Sequence, residues 1–289
     1  MSQWSVRTFE DQYAMVELKE EHTASWVQVC PERGGIITSY GVQGKELLYL
    51  DKQTFYDPDA NIRGGIPILF PISGQLIQGQ YEWEGKTYAM KNHGFARNLP
   101  WEVVSTSNEG QASVLLRLRS SDITRASFPF EFELQFTYIL KDGKLTIDQT
   151  YHNRSEQPMP MYPGFHPYFE VDRKAIAYDT DAARYLDYND ELEKTFSGTL
   201  DLTGLVESTV FLDASRRHIS FQPFANEPEK IHLHYGSEFK YVVLWSVEGK
   251  PFVCVEPWMA KTGEFHRREE LTWVQPGQTL TTFLSISKE

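Results

Sequence analysis

In the stretch FEFELQFTYIL, residues 130–140, apolar and polar side chains alternate from Phe130 to Tyr138. Phe130, Phe132, Leu134, Phe136, Tyr138 and Leu140 fall on one face; Glu131, Glu133, Gln135 and Thr137 fall on the other. A period of two puts one side of an extended chain into a core and the other into water. KDGK follows, and then LTIDQTYH, residues 145–152. Asp142-Gly143 suits a type I′ turn, which needs positive φ at both central positions. The segment reads as an antiparallel hairpin.

The same alternation recurs in ASVLLRLRS, KIHLHY, KYVVLWSV, PFVCVE and LTTFLSIS. Helical periodicity is scarce, and short helices are expected only within 182–195 and 264–273. Strands do not alternate with helices, which excludes a parallel α/β sheet. No repeat at solenoid or propeller periods is present, and no low-complexity linker divides the chain. The expectation is a single all-β domain over residues 1–289, a large antiparallel β-sandwich. Its strands are too numerous for an immunoglobulin-sized sandwich.

Composition narrows the partners. The net charge is -12 and the pI about 5.2, with no run rich in Lys or Arg. Nucleic acid and anionic membrane surfaces are therefore not expected partners. An anionic small molecule stays open, because a few arginines make a local positive pocket. Aromatics are 14% of residues, a supply that suits pleated sheets and also sugar stacking. Cys30 and Cys254 fit neither a CxxC nor a zinc spacing, and no stretch reaches the roughly 20 apolar residues that span a bilayer. The first residues lack the basic and apolar regions of a secretory signal, so a soluble cytoplasmic protein with reduced thiols is expected.

Three stretches place charged groups in apolar, Gly- or Pro-rich settings. NIRGGIPILFPISG, residues 61–74, carries Arg63 beside Gly64-Gly65. The glycines permit positive φ or close backbone approach, and Pro67 and Pro71 bar an inner strand. KNHGFARNLPW, residues 91–101, crowds Asn92, His93 and Arg97 into one loop. FVCVEPWMA, residues 252–260, alternates Val253 and Val255 with Cys254 and Glu256. Glu256 is either a solvated strand terminus or a buried base with a raised pKa. YPGFHPYF, residues 162–169, sets His166 between two prolines, as either a buried turn histidine or a proton-transfer group held at a fixed angle. His232 and His234 share one face of a strand whose other face is Ile231, Leu233 and Tyr235, and they read as its polar face. No GxSxG elbow or nucleotide-binding glycine loop is present.

Together IRGGIPILFP, NHGFAR, GFHPYF and VEPW, in that order over residues 62–258, resemble the aldose 1-epimerase (galactose mutarotase-like) family. The resemblance implies a β-supersandwich and interconversion of the α and β anomers of a hexose. It implies His166 as general acid, Glu256 as general base and His93 in the same pocket. In relatives acting on hexose 6-phosphates, residues matching Arg63, Asn92 and Arg97 hold the substrate, and Asp213 is a looser match to an aspartate of the site. No metal or organic cofactor is implied. PILFPISG departs from the phosphate-specific pattern, so a free hexose is the main expectation, with protein carboxylates neutralising the arginine pair. A hexose-6-phosphate 1-epimerase and a non-catalytic carbohydrate-binding protein are the alternatives. A glycoside hydrolase or lyase would need a second carboxylate opposite Glu256, for which Asp213 is the candidate.

Overall fold

In the computed structural model, which describes residues 3–289, the central hairpin forms as the alternation requires. Phe132–Lys141 pairs antiparallel with Lys144–Asn153, from Phe132 opposite Asn153 to Lys141 opposite Lys144. Asp142 (φ 52°) and Gly143 (φ 70°) both take the left-handed conformation that a type I′ turn demands. Phe132, Leu134, Phe136, Tyr138 and Leu140 are buried. The opposite face is not uniformly wet, because Glu133 is buried there among cationic partners.

This hairpin lies within a nine-stranded sheet. Its order runs Thr199–Asp201, Ala175–Asp179, His218–Phe221, Ile231–Tyr235, Thr279–Lys288, Lys144–Asn153, Phe132–Lys141, Ala112–Arg119, Glu102–Ser107. An eight-stranded sheet faces it. There the order runs Leu192–Thr195, Arg184–Asp187, Thr209–Phe211, Tyr241–Trp245, Phe252–Trp258, Gly164–Phe165, Ile68–Leu69, with Tyr168–Glu170 also paired to Phe252–Trp258. Aromatic rings join the two sheets: Phe136 meets Phe165 at 6.1 Å and Phe169 meets Phe221 at 5.3 Å between centroids. A five-stranded sheet, from Trp4–Glu10 to Lys45–Glu46, packs its Tyr40 hydroxyl onto the carbonyls of Gly143 and Ile286.

One of the two helical expectations is corrected. Residues 182–195 form a hairpin, Arg184–Asp187 against Leu192–Thr195. Its first strand also pairs with Thr209–Phe211, and Asp187 holds the turn by accepting from Asn189 and Lys194. Ladder pairing on both sides of the first strand outweighs a short helix's weak propensity. The short helix expected within 264–273 forms, at Glu264–Arg267. Arg268 (φ 59°) stops it in a left-handed turn, and Thr272–Val274 then pairs with Met159–Met161. The prolines act as expected, since Ile68–Leu69 is an end strand of its sheet.

Candidate active site

The strand Phe252–Trp258 is buried along all 7 of its residues. Val253 and Val255 enter the main core, whereas Cys254 packs on the other face with Tyr168 and Phe252. Glu256 and Trp258 share that second face by alternation. Across from it the chain 164–170 forms two short strands with a break between them. Gly164 pairs with Trp258 and Tyr168 with Cys254, so the midpoint of the break, His166, stands opposite Glu256. Pro167 lies in that break and Pro163 just before the first of the two strands, and neither can donate to the ladder. Their carbonyls still accept from Met259 and Val255, which ties the histidine's backbone to the strand it faces.

The two side chains meet. His166 Nδ1 lies 3.5 Å from Glu256 Oε1, and the Trp258 indole donates to Glu256 Oε2 at 3.1 Å. Both residues are buried. Nδ1 has no hydrogen-bond partner of good geometry. Tyr168 stacks on the His166 ring at 4.7 Å and 10°, and Trp245 meets its edge at 5.8 Å. Burial pushes the Glu256 carboxyl well above its usual range, against the indole bond and the field of Arg97. Burial, Arg97 and Arg63 pull His166 down to about 3. Both effects favour the uncharged form of each partner.

His93 is placed by a strained loop. It takes φ 63°, unusual for a residue with a side chain. Gly94 follows at φ 73°, where a Cβ would lie 2.1 Å from the Phe70 carbonyl oxygen, so only glycine fits. The Gly74 amide donates to His93 Nδ1 at 3.0 Å, which leaves the ring proton on Nε2. Burial, Arg97 and His166 hold His93 neutral. Its ring stands edge-to-face with His166 at 5.3 Å and with Trp258 at 5.7 Å.

Arg97 is half-buried, donates to the Asn92 carbonyl at 2.9 Å, and leaves its Nε buried without a partner. The exposed Arg63 lies over the Trp245 ring at 5.6 Å. Its loop is held by Gly65, where a Cβ would strike the Ile37 carbonyl oxygen at 2.2 Å. Both arginines bear electrostatically on His166 and Tyr168. Among the described residues no carboxylate lies within ion-pair distance of either, which corrects the expectation of a neutralised pair. Asn92 contributes its carbonyl, while its side chain is exposed. Asp213 does not join the group: it is exposed and accepts from the amides of Ala183 and Arg184 and from the Arg184 side chain. A strand-end aspartate so placed anchors a turn rather than faces Glu256. The sequence reading did not single out Tyr168 or Trp245, although Tyr168 lies two residues beyond His166. The donor atoms of His166, Cys254 and Glu256 lie within 4.8 Å of one another and form the buried group able to hold a metal ion. Cys254 is a fully buried thiol, pushed well up by burial and Glu256.

The family described as Aldose 1-epimerase matches residues 15–287. The chain belongs to this family. The crystal structure of the Slr1438 protein from Synechocystis sp. PCC 6803 is 35% identical, with a TM-score of 0.91, covering 100% of this chain and 98% of that one. A galactose mutarotase related enzyme from Lactobacillus acidophilus shares the fold at 20% identity, with a TM-score of 0.77 over 99% and 97% of the two chains. A Salmonella typhimurium protein named "Putative glucose-6-phosphate 1-epimerase" is 32% identical over 123 residues, 42% of this chain and 34% of that relative. The matched stretches span 34–43% of the curated relatives' own lengths. Among the described residues no helix is long and apolar enough to cross a membrane.

Proposed function

We propose that this aldose 1-epimerase family member interconverts the anomers of a hexose 6-phosphate. The carrying observation is the buried His166–Glu256 pair at 3.5 Å, with Arg63 and Arg97 beside it and neither in an ion pair with a carboxylate among the described residues. Ring opening needs a proton removed from O1 and a proton delivered to O5. Glu256 takes the first while His166 gives the second. The ion pair thereby discharges into neutral imidazole and carboxylic acid. Burial favours that discharged state, which is the one facing the open-chain aldehyde. Rotation about C1–C2 and reclosure return both protons, and each group ends as it began. The His93 Nε2–H is an uncharged donor for a sugar oxygen.

The arginines link substrate charge to this proton transfer. Both oppose protonation of His166. A phosphate bound to them cancels that field and favours the imidazolium that ring opening consumes. The names of the curated relatives support a phosphorylated substrate. The divergent LFPISG segment does not weigh against it, because Phe70, Ile72 and Ser73 are fully buried. Exchange NMR on α-glucose 6-phosphate and α-glucose tests the reading. Arg97→Ala should lower kcat/KM for the phosphate ester by about 10²-fold and for glucose far less. Equal losses on both, or a wild-type preference for glucose, would make a free hexose the substrate.

A further inference from the structure

Tyr168 ties the proton-transfer pair to the loop that carries Arg63. Its amide donates to the Gly65 carbonyl at 2.9 Å, two residues from Arg63, and its carbonyl accepts from the Tyr49 amide at 2.9 Å. Strand pairing sets it beside Cys254, on the face that Cys254 shares with Glu256. Its ring lies parallel to the His166 imidazole, at 4.7 Å and 10°. Phe252 supports the ring from 5.0 Å, and Trp245 meets it edge-on at 6.3 Å and 87°. Arg63 lies over that same indole at 5.6 Å. Trp245 therefore adjoins His166, Tyr168 and Arg63 at once.

Packing explains this ring but not its hydroxyl. Other tyrosines buried in the core place theirs on a partner: Tyr40 on the Gly143 and Ile286 carbonyls, Tyr138 on the Gly35 carbonyl, Tyr151 on the Gln149 side chain. Among the described residues the Tyr168 hydroxyl has no such partner, and it is not sealed from water as those of Tyr162 and Tyr178 are. Phenylalanine would fill the same stack with no polar group to desolvate. A phenol in this place calls for an acceptor that arrives with the substrate.

We infer that the Tyr168 hydroxyl donates a hydrogen bond to the 6-phosphate of the substrate, which makes Tyr168 a specificity-determining residue beside Arg63 and Arg97; this rests on the hexose 6-phosphate reading above. The connectivity of the sugar suits that role. In a hexopyranose the ring oxygen O5 and C6 are both bonded to C5, so a phosphate on O6 lies at the edge of the ring where His166 must reach O5. A donor that stacks on His166 and is tied to the Arg63 loop spans that short distance. The phenol is also in the donating state. Burial, then Cys254 and Glu256, raise it well above its ordinary range against Arg97 and Arg63, so it keeps its proton at neutral pH. A phosphate oxygen accepts such a proton in a charge-assisted bond, stronger than one to a neutral hydroxyl.

Exchange NMR on α-glucose 6-phosphate and α-glucose with Tyr168→Phe tests the inference. Phenylalanine keeps the stacked ring, so the variant should melt as the wild type does and keep the acidic limb of its kcat/KM profile in place. KM for glucose 6-phosphate should rise about tenfold, the loss of one hydrogen bond to a charged group, while kcat falls less than about threefold. The preference for the ester over glucose should fall about tenfold with it. Inorganic phosphate, as a competitive inhibitor, should bind the variant about tenfold more weakly. The inference fails if KM for the ester and inhibition by phosphate are unmoved, if the loss lies in kcat, or if glucose loses as much as the ester. A wild type that prefers glucose would overturn the hexose 6-phosphate reading itself, whatever the variant does.

Discussion

His166 and Glu256 hold one shared proton in either of two arrangements, an ion pair or two neutral groups. The pocket disfavours charge on both. Glu256→Gln and His166→Asn each remove one terminus of the transfer, so turnover should fall about 10²-fold or more in exchange NMR. Stability should move the other way for Glu256→Gln. A carboxyl whose folded pKa lies above its unfolded value costs stability as pH rises past about 4.5. The uncharged variant should melt higher than the wild type at pH 8, with the gap closing towards pH 4. A lower Tm at pH 8 would assign Glu256 a structural role. Arg97 acts on the same pair through its field. It holds His166 down, so Arg97→Ala should shift the acidic limb of kcat/KM to higher pH. An unmoved limb would mean that Arg97 only binds.

At the scale of elements, the strands that carry the chemistry were legible because alternation is a local signal. Phe252–Trp258 and the 132–153 hairpin follow directly from period two and Asp142-Gly143. GFHPYF was legible as a stiff histidine, but its position opposite Glu256 depends on a register set by Gly164 and Tyr168. Asp213 was misread because a strand-end aspartate looks the same whether it faces a pocket or caps a turn. The 182–195 hairpin was missed because its partner strand, Thr209–Phe211, is remote in sequence. Glu133 shows the same limit. Alternation places it in water, yet it sits across three strands, held by Arg119, Gln135 and Arg154. Burial alone would raise its pKa, but those partners together bring it to about 2. Its stabilisation is therefore present above the unfolded value near 4.5 and is lost as pH falls towards 2. Glu133→Gln should lower the Tm at pH 7 and match the wild type near pH 2. A constant difference across that window would show a packing effect instead of a charge effect.

At the scale of the whole molecule, the five-stranded sheet must be fixed to the sandwich, because its Ile37 bridges to Ile66, and just beyond the sheet Leu48 bridges to Phe169 and Leu50 to Gly64, close to the site loops. Glu20 provides one such tie. It is fully buried and accepts from the amides of Asp142 and Gly143 at 2.8 and 2.6 Å. It also accepts from the Trp4 indole and the Thr23 hydroxyl. One carboxylate thus satisfies the turn of the central hairpin from a different sheet. The His22 and Asp142 side chains nearby do not make it a metal site, since its oxygens are already occupied by these donors. Glu20→Ala would leave the turn amides without an acceptor in a place water reaches poorly. The expected loss is about 3 kcal/mol, since each orphaned donor costs about 1–3 kcal/mol. For a chain of this size that corresponds to a fall in Tm of about 6–12 °C. No site residue touches Glu20, so kcat/KM measured below the transition should stay within about twofold of the wild type. An undiminished Tm would mean that the hydrophobic contacts alone hold the sheets together. A large loss of activity in folded protein would instead mean that the five-stranded sheet sets the geometry of the Arg63 loop through its Ile37–Ile66 bridge and the Leu50–Gly64 bridge just beyond it.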